Sequence, residues 1–203
     1  MVRNSAPSWL ESSRSRIVLD ECELTDLCAL HGNTDKGGDE SVTGWKHCYS
    51  EFYGRLLASR RHEIRSMLEI GILRGGSLLA WRDFFPAAEV HGVDVADCRH
   101  MGQERLVVHH ADAYSEDFME SLAGHKFDFI LDDGPHTAES WVFFFNRYRA
   151  LLSDGGIMMA EDVFPENIDE VYGGFTGDSK RLSVVDRTRC EGSSRNECLL
   201  VYM

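Results

Sequence analysis

Residues 67–95 read MLEIGILRGGSLLAWRDFFPAAEVHGVDV, and their order of apolar runs and glycines indicates an α/β fold. The first apolar run, residues 67–72, contains Gly71, and residues 77–85 have the apolar spacing of a helix. A second apolar run follows at residues 90–95. Because a strand, a helix and a strand in this order are typical of a βαβ unit, we expect the two strands to be parallel.

The same alternation continues along the chain. Further strands are predicted at residues 106–108 (ending near Asp112), 127–131 and 157–160. A helix is predicted over residues 137–152. Because the apolar runs are separated by helices, we expect a doubly wound, Rossmann-like parallel sheet with helices on both faces. The last two strand-like segments, 182–186 and 198–202, have only a short polar connection, which predicts an antiparallel hairpin.

The composition fits one globular domain. The chain has 203 residues, of which 43% are hydrophobic and 27% charged, an ordinary balance for a folded protein. We expect residues 1–18 to form a flexible arm, because they are polar and rich in Ser and Arg. Residues 19–203 then form a single domain that begins with a helical part, residues 19–61.

Charge and hydropathy exclude several classes of partner. The net charge of −13 should repel phosphate backbones, so we expect no nucleic-acid substrate. No apolar run reaches the length of a membrane span, and the N-terminus lacks the apolar stretch of a secretory signal. These features predict a cytoplasmic protein without a membrane partner. The oligomeric state, including a homo-oligomer, is left open.

The cysteines predict free thiols. The chain has six cysteines and no Cys-x-x-Cys pair, which is typical of thiols in a reducing compartment. A weaker alternative is a zinc site, whose candidate ligands are Cys22, Cys28, His31, His47 and Cys48. Their spacing matches no common zinc pattern, so we favour free thiols.

The end of the first strand predicts a cofactor site. In open α/β sheets ligands bind beyond the carboxyl ends of the strands. Here the sequence is Glu69-x-Gly71-x-x-x-Gly75-Gly76-Ser77. The glycines let a ligand approach the backbone, and the following helix N-terminus favours a carboxylate. Because neither Gly-x-Gly-x-x-Gly nor a Walker Lys is present, we expect the methionine part of S-adenosylmethionine rather than a phosphate.

Two further strand ends fit the nucleoside of that cofactor. Asp94 ends the second strand and could accept the ribose hydroxyl protons. Asp112 ends the third strand and could accept from the adenine amino group. Each acid alone is better explained as a helix cap or a solvated loop residue. Together with Glu69 they converge on one rim, which favours a bound nucleoside.

Four acids at the fourth and fifth strand ends indicate a metal. These residues are Asp132, Asp133, Glu161 and Asp162. Adjacent strands lie ~4.8 Å apart, and like charges at ~4 Å repel by roughly 4 kcal/mol at an effective dielectric of about 20. A hard divalent cation, Mg²⁺ or Ca²⁺, would remove this repulsion. The alternative is that one or two of these side chains point away and hydrogen-bond to the backbone, above all Asp132, because neighbouring strand residues face opposite sides. We count Asp132 among the cofactor-binding residues.

His136 is the candidate general base. Its ordinary pKa near neutrality suits proton removal, and it follows Asp133 by three residues. The alternative is a solvent-exposed loop histidine, which we prefer for His109, His110 and His125. The neighbouring acids favour a catalytic role for His136, with Asp133 beside it.

Several segments resemble one enzyme family, the metal-dependent sugar O-methyltransferases of antibiotic biosynthesis of the mycinamicin and tylosin type. The matching segments lie between Leu27 and Val163, and they are Thr34-Asp35-Lys36, His47-Cys48-Tyr49 with Tyr53, Leu68-Glu69-Ile70-Gly71, Gly92-Val93-Asp94, Asp132-Asp133-Gly134-Pro135-His136, and Gly155-Gly156 followed by Glu161-Asp162. The last two segments are the most specific, because residue type and spacing both agree.

The resemblance implies a class I methyltransferase domain over residues 19–203. It implies that Asp133, Glu161 and Asp162 ligate Mg²⁺ or another divalent cation, that a substrate diol completes the metal shell and that His136 is the base. It also implies that residues 19–61 cap the active site, where Thr34 and Lys36 would contact the cofactor and Tyr49 and Tyr53 the substrate. The expected substrate is a glycosylated natural product.

Three departures from the family lie in loops that would form the acceptor pocket. The family usually has Ser at the position of Pro135 and often His at the position of Ser140, and residues 37–46 are an insertion. The acceptor is therefore left open. The alternative functions are a metal-independent methyltransferase, a metal-dependent hydroxylase or hydrolase, and a non-catalytic binding protein. A nicotinamide dehydrogenase is disfavoured because Gly-x-Gly-x-x-Gly is missing.

Overall fold

The predicted strands form one sheet. The structure, a computed structural model, describes residues 21–37, 44, 47–188 and 197–203. Within these residues the strands are β1 (Ser66–Ile70), β2 (Glu89–Asp94), β3 (Leu106–His110), β4 (Phe127–Asp132), β5 (Leu152–Val163), β6 (Leu182–Asp186) and β7 (Cys198–Tyr202). Their order in the sheet is β3-β2-β1-β4-β5-β7-β6. The first five strands are parallel, so their carboxyl ends meet at one rim.

Helices cover both faces of this sheet. They are α1 (Glu21–His31), α2 (Ser50–Leu57), α3 (Gly76–Phe84), α4 (Glu116–Ser121), α5 (Ala138–Arg147) and α6 (Ile168–Gly174). Apolar side chains from α1, α2 and α3 share one core with the sheet, and those from α4, α5 and α6 share the other. The doubly wound α/β architecture predicted from the apolar runs is therefore confirmed.

The C-terminal hairpin is confirmed as well. β6 and β7 are antiparallel, with Leu182 opposite Tyr202. β7 also pairs antiparallel with β5, where Met158 lies opposite Tyr202. The hairpin therefore extends the parallel sheet on the β5 side, and it carries Glu197, which directly precedes β7, towards the rim.

The helix predicted over residues 137–152 ends early. It begins with a capping box, in which Thr137 and Ser140 exchange hydrogen bonds between side chain and backbone at 3.1 Å each. It ends at Arg147 and is followed by a single 3₁₀ turn. The Tyr148 hydroxyl in that turn donates to the Ala113 carbonyl at 2.6 Å, which ties the turn to the loop after β3. β5 consequently begins at Leu152, five residues before the predicted start.

The N-terminal helical part contributes to the core. Leu24 on α1, and Tyr53 and Leu57 on α2, are buried in the same cluster as Trp81 on α3. The residues of this part that line the rim cavity belong to loops rather than to helices. The predicted arm, residues 1–18, and all of the 37–46 insertion except Gly37 and Gly44 lie outside the described residues.

The described cysteine side chains are free thiols, namely Cys28, Cys48, Cys98 and Cys198. Neither of the side-chain groups found in the described part that could hold a metal ion contains a cysteine. The side chain of Cys22, and Cys190, lie outside the described residues. Among the helices that the structure describes, none is both long and apolar enough to cross a membrane.

The contact between two histidines on neighbouring strands, His91 and His109, requires that the two rings are not both charged. The Nδ1 atom of His91 lies 3.2 Å from Nε2 of His109, and the two rings are stacked. Burial lowers the pKa of both residues; Glu89, which contacts His91 at 2.8 Å, opposes the shift of that pKa only in part. If both rings were charged, two donors would face each other across this contact.

We expect this pair to make stability depend on pH. Because the folded-state pKa values are lowered, the pair stabilises the fold above the ordinary histidine pKa and loses this contribution as the pH falls through the folded-state values. Urea unfolding at about pH 7.5 and about pH 5.5, on either side of the ordinary pKa, should show a larger loss for the native chain than for His109→Gln. Equal losses in the two proteins would contradict this expectation.

Candidate functional site

A cavity of about 510 Å³ opens at the carboxyl ends of the parallel strands. Asp94 and Asp112 line it on the β2–β3 side. Asp133, His136 and Asp162 line it on the β4–β5 side. Two groups of polar residues predicted from separate parts of the sequence therefore share one cavity.

Asp94 holds the loop that follows β1. Its Oδ2 atom accepts from the backbone amides of Ile72 and Leu73 at 3.0 Å each, and Oδ1 accepts from Ala96 at 2.8 Å. A carboxylate offers roughly four acceptor positions, so these bonds leave little capacity for a ribose. Asp112, on the neighbouring loop, accepts from the Tyr114 amide at 2.9 Å.

Gly71 brings the end of β1 against the loop after β4. Its φ is +80°, and a Cβ atom at this position would lie 2.0 Å from the carbonyl oxygen of Asp133. Since that neighbour is backbone, a side chain would have to displace the loop that carries Asp133 and His136. A glycine is therefore required here both for conformation and for space.

Gly71→Ala should lower stability far more than Gly124→Ala. Gly124 also has a positive φ, +88°, but no atom lies within 4 Å of an added Cβ. The control should therefore cost only the left-handed conformation, about 1–2 kcal/mol, whereas Gly71→Ala adds the backbone clash. Chemical denaturation would measure the difference, and similar losses in both variants would show that the close approach does not matter.

Asp133, His136 and Asp162 form a compact polar group. His136 Nε2 lies 3.1 Å from Asp133 Oδ1, and its Nδ1 lies 3.7 Å from Asp162 Oδ2. Each of the three residues has one atom that could bind a metal ion, and these three atoms lie within 4.8 Å of one another. Burial lowers the pKa of His136, but its hydrogen bond to Asp133 and the charges of Asp133, Asp162 and Asp132 outweigh burial and raise the pKa.

The backbone at this group is strained. His136 has a φ of +58° and Asp162 a φ of +55°, values that side chains with a Cβ rarely adopt. Strained residues of this kind concentrate at functional sites, where the surrounding structure holds a side chain in one orientation. Here both strained residues point functional groups into the same cavity.

Glu161 lies behind the cavity and is held by a lysine. Its Oε2 atom accepts from Lys36 Nζ at 2.5 Å, and its other oxygen accepts from the Tyr53 hydroxyl. Lys36 also donates to Asp133 Oδ2 at 2.6 Å and is 3% exposed. Burial would lower the pKa of Lys36, but Asp133, Glu161 and Glu69 raise it well above its usual value. An ammonium group therefore already lies between two of the three predicted metal ligands.

A second buried cluster, which we call the His47 cluster, consists of His47, Tyr49, Asp162 and Glu197. His47 Nδ1 lies 2.9 Å from Glu197 Oε2 and 3.2 Å from Asp162 Oδ1. The Tyr49 hydroxyl lies 2.6 Å from Asp162 Oδ1 and 2.5 Å from Glu197 Oε2. Burial alone would lower the pKa of His47, but its hydrogen bonds to Asp162, Asp35 and Glu197 raise it to about 12. His47 is thus an imidazolium between carboxylates.

Asp132 lies beside the site without lining the cavity. Its Oδ1 atom accepts from the Tyr114 hydroxyl and from the Gly134 amide at 3.2 Å. Burial raises the pKa of Asp132 to about 7. Since Tyr114 lines the cavity, the predicted role of Asp132 in cofactor binding would act through Tyr114 and the Gly134 loop.

The predicted site residues thus fall into two groups. The cavity lining contains Gly71, Asp94, Asp112, Asp133, His136 and Asp162. Outside the lining are Thr34, Lys36, Tyr49, Tyr53, Glu69, Ser77, Asp132 and Glu161, all of them buried. Ser77, for example, donates to Glu69 Oε2 at 2.9 Å. The two groups meet at Asp133 and Asp162, which line the cavity and contact buried partners.

The sequence assigned no role to Tyr114 or Glu197, and it named His47 only as a candidate ligand in the disfavoured zinc site. His47 lies in the His47-Cys48-Tyr49 segment, one of those that resemble the enzyme family, and this could have marked it as a site residue. Tyr114 follows the predicted third strand by two residues. Glu197 follows a polar connection and carries no sequence signal, because only the sheet order brings it to Asp162.

The polar group at the cavity fits a divalent cation. Asp133 and Asp162 present carboxylate oxygens to the cavity, and His136 adds a ring nitrogen within the same 4.8 Å limit. Oxygen-rich sets of this kind suit Mg²⁺. Glu161 could join the set only if Lys36 gave up its contact at 2.5 Å.

Comparison with known proteins agrees with this architecture. Residues 68–163 match a family model described as a methyltransferase domain. The chain is 27% identical over 160 residues to mycinamicin VI 2''-O-methyltransferase of Micromonospora griseorubida, covering 74% of this chain and 38% of that protein. It is 32% identical over 154 residues to L-olivosyl-oleandolide 3-O-methyltransferase of Streptomyces antibioticus, covering 71% of this chain and 38% of that protein.

The chain is also similar in structure to a solved methyltransferase. MycE methyltransferase from the mycinamycin biosynthetic pathway, in complex with Mg and SAH, superposes with a TM-score of 0.63 at 25% identity. The match covers 85% of this chain and 45% of MycE. The chain therefore spans less than half the length of these relatives. With the β3-β2-β1-β4-β5-β7-β6 sheet and the rim cavity, these matches show that the chain has the class I methyltransferase fold and is similar to the sugar O-methyltransferases of antibiotic pathways.

Proposed function

We propose that the chain binds S-adenosylmethionine and transfers its methyl group to a hydroxyl of a small glycosylated natural product, with the help of Mg²⁺ or another divalent cation. The observation that carries the proposal is the convergence of Asp133, His136 and Asp162 on the cavity that Asp94 and Asp112 also line. A cofactor pocket beside a base and two carboxylates supports group transfer better than binding alone. The named functions of the relatives support the same conclusion.

The cofactor half of the cavity is formed by loops after β1, β2 and β3. Gly71 and Asp94 fix the loop at residues 71–75, of which Gly71 and Leu73 line the cavity. Asp112 and Tyr114 line the part of the cavity formed by the loop after β3, where an adenosine would fit. S-adenosylmethionine supplies a methyl group bonded to a positively charged sulfur, which the acidic cavity would attract.

The acceptor hydroxyl belongs beside His136. Methyl transfer is an in-line displacement in which the methyl–sulfur bond breaks and a methyl–oxygen bond forms. The sulfur keeps the bonding electron pair, and the hydroxyl proton passes to the His136 ring. Asp133 orients that ring through its contact at 3.1 Å. Holding the hydroxyl in line with the methyl group supplies much of the acceleration.

Asp133 and Asp162 would hold the cation, and Glu161 would join them once Lys36 releases it. A bound divalent cation would lower the pKa of the acceptor hydroxyl and so make its deprotonation accessible near neutral pH. In the absence of the cation, His47 and Tyr49 hold Asp162, and His136 and Lys36 hold Asp133. These contacts keep both carboxylates oriented towards the cavity.

We also propose a cytoplasmic location and no nucleic-acid partner. The described cysteines are free thiols, which fits a reducing compartment. The net charge of −13 opposes binding to phosphate backbones. For the acceptor we propose a sugar hydroxyl with a neighbouring hydroxyl, since such a diol could reach both the base and the cation.

The direct test is a methylation assay with a panel of acceptors. The protein is incubated with S-adenosylmethionine, Mg²⁺ and glycosylated polyketides, and simple catechols are included as non-sugar diols. We expect mass spectrometry to detect one added methyl group on a sugar, together with the demethylated cofactor. Methylation of catechols only would contradict the acceptor class, and the absence of any methylated product across the panel would contradict the proposed activity.

Removing the metal tests the role of the cation. With excess EDTA we expect turnover to fall by at least about 10²-fold, because the acceptor hydroxyl then keeps its ordinary pKa. Calorimetry should show that the cofactor still binds. Adding Mg²⁺ back should restore the rate, whereas full activity in EDTA would favour a metal-independent methyltransferase that uses His136 alone.

A further inference from the structure

The Lys36 ammonium occupies the space between Asp133 and Glu161, two of the three predicted metal ligands. It is 2.6 Å from Asp133 Oδ2 and 2.5 Å from Glu161 Oε2, so it bridges the two carboxylates. Both contacts are charge-assisted hydrogen bonds with short N–O distances. A divalent cation that used both carboxylates could not share this position with the ammonium, because two positive charges at such separations repel strongly.

A third carboxylate, that of Glu69, lies next to the Lys36 ammonium but makes no hydrogen bond with it. Glu69 Oε1 is 3.5 Å from Lys36 Nζ, which is too long for a hydrogen bond. That oxygen is fully buried and accepts no hydrogen bond from the described residues. An unsatisfied buried carboxylate oxygen costs free energy. A shift of the Lys36 side chain towards Glu69 would remove that cost.

We infer that Lys36 is an exchangeable internal cation: it neutralises Asp133 and Glu161 when no metal is bound, and it moves to Glu69 when a divalent cation takes those two carboxylates. The exchange conserves charge compensation, since each carboxylate keeps a positive neighbour in both states. It also couples metal binding to the loop at residues 32–37, which carries Lys36. The inference rests on the proposed use of a divalent cation at this site.

The experiment is a double-mutant cycle on Mg²⁺ affinity, measured by calorimetry without cofactor or acceptor. Lys36→Met should raise the Mg²⁺ association constant roughly tenfold, because the competing cation is removed. Glu69→Gln in the native chain should lower it several-fold, since the displaced ammonium loses its second partner. This loss should shrink when Lys36 is already Met. Lys180→Met, which removes an exposed charge away from the site, is the control and should leave the affinity unchanged.

The outcomes distinguish the exchange from the proposed function. If Mg²⁺ binds the native chain and Lys36→Met binds it equally or more weakly, the exchange is wrong, while the metal-assisted activity still stands. An equal effect of Glu69→Gln with and without Lys36 would also overturn it. If neither protein binds Mg²⁺, the metal part of the proposed function fails as well.

A second measurement covers the case in which Lys36→Met does not fold. Hydrogen exchange of residues 32–37 in the native chain should change when Mg²⁺ is added, and this change should be smaller in Glu69→Gln. Unchanged exchange in the native chain at saturating Mg²⁺ would show that the lysine loop does not respond to the metal and would overturn the inference.

Discussion

His136→Ala should lower kcat by about 10²–10⁴-fold, the usual contribution of a general base, while the dissociation constant for S-adenosylmethionine stays nearly the same. The ring is the proton acceptor nearest to the proposed hydroxyl, and Asp133 and Asp162 contact it from two sides. The cofactor half of the cavity is formed by other loops, so its affinity should persist. Steady-state rates and calorimetry would measure the two quantities on the same protein.

The matched control is His62→Ala, because His62 is an exposed histidine outside the cavity. It should keep both kcat and cofactor affinity. A stability measurement on His136→Ala is also needed, since the residue has a positive φ of +58° and alanine tolerates this conformation poorly. Turnover at the native rate in folded His136→Ala would refute the assigned role.

The carboxyl rim could be predicted because the strand ends are local features. Asp94 and Asp133 each end or directly follow an apolar run that is visible in the sequence. Parallel strands place all such residues at one rim, whatever the details of packing. The βαβ alternation and the C-terminal hairpin follow from the same local patterns, and the observed sheet confirms both.

The ion pairs behind the rim could not be predicted in this way. Lys36 and Glu161 are 125 residues apart in sequence, and His47 and Glu197 are 150 apart. No periodicity relates such residues, because their proximity depends on how loops cross the sheet. Burial also changes their chemistry, since a lysine that is 3% exposed remains charged only through the carboxylates around it.

The end of α5 and the length of β5 could not be predicted from local sequence patterns either. Residues 148–151 continue the apolar pattern of α5, yet they form a 3₁₀ turn because Tyr148 is anchored to the Ala113 carbonyl. The length of β5 depends on its antiparallel partner β7, which lies far along the chain. Both differences arise from tertiary contacts that override local preference.

His47→Gln should be among the most destabilising single substitutions in the chain, with a loss of about 3–5 kcal/mol, as found when one partner of a buried ion pair is removed. His47 is 3% exposed, and the Asp162 and Glu197 carboxylates that it contacts are also buried. Glutamine keeps a hydrogen-bonding group but removes the charge that compensates them. Urea unfolding near pH 7 would measure the loss.

The contribution of His47 to stability depends on pH in a direction that makes urea unfolding near neutral pH the right measurement. The pKa of His47 is raised to about 12 in the folded protein, because its carboxylate partners outweigh burial. A raised histidine pKa stabilises the fold fully below the unfolded value of 6.5, and this contribution is lost as the pH rises towards about 12. At pH 7 most of the contribution is therefore present, and the substitution should remove it.

Two comparisons separate loss of the buried charge from a general effect of substitution. His31→Gln removes a less buried partner of Asp83, at 2.8 Å, and should cost about 0–1 kcal/mol. The double variant His47→Gln with Glu197→Gln should be more stable than the two single losses would predict, because it also removes one of the carboxylates left uncompensated. Additive losses, or a His47→Gln loss as small as that of His31→Gln, would mean that the His47 cluster is not held together by its charges. The orientation of the Asp162 carboxylate would then be set by its uncharged partner, the Tyr49 hydroxyl, which donates to it at 2.6 Å.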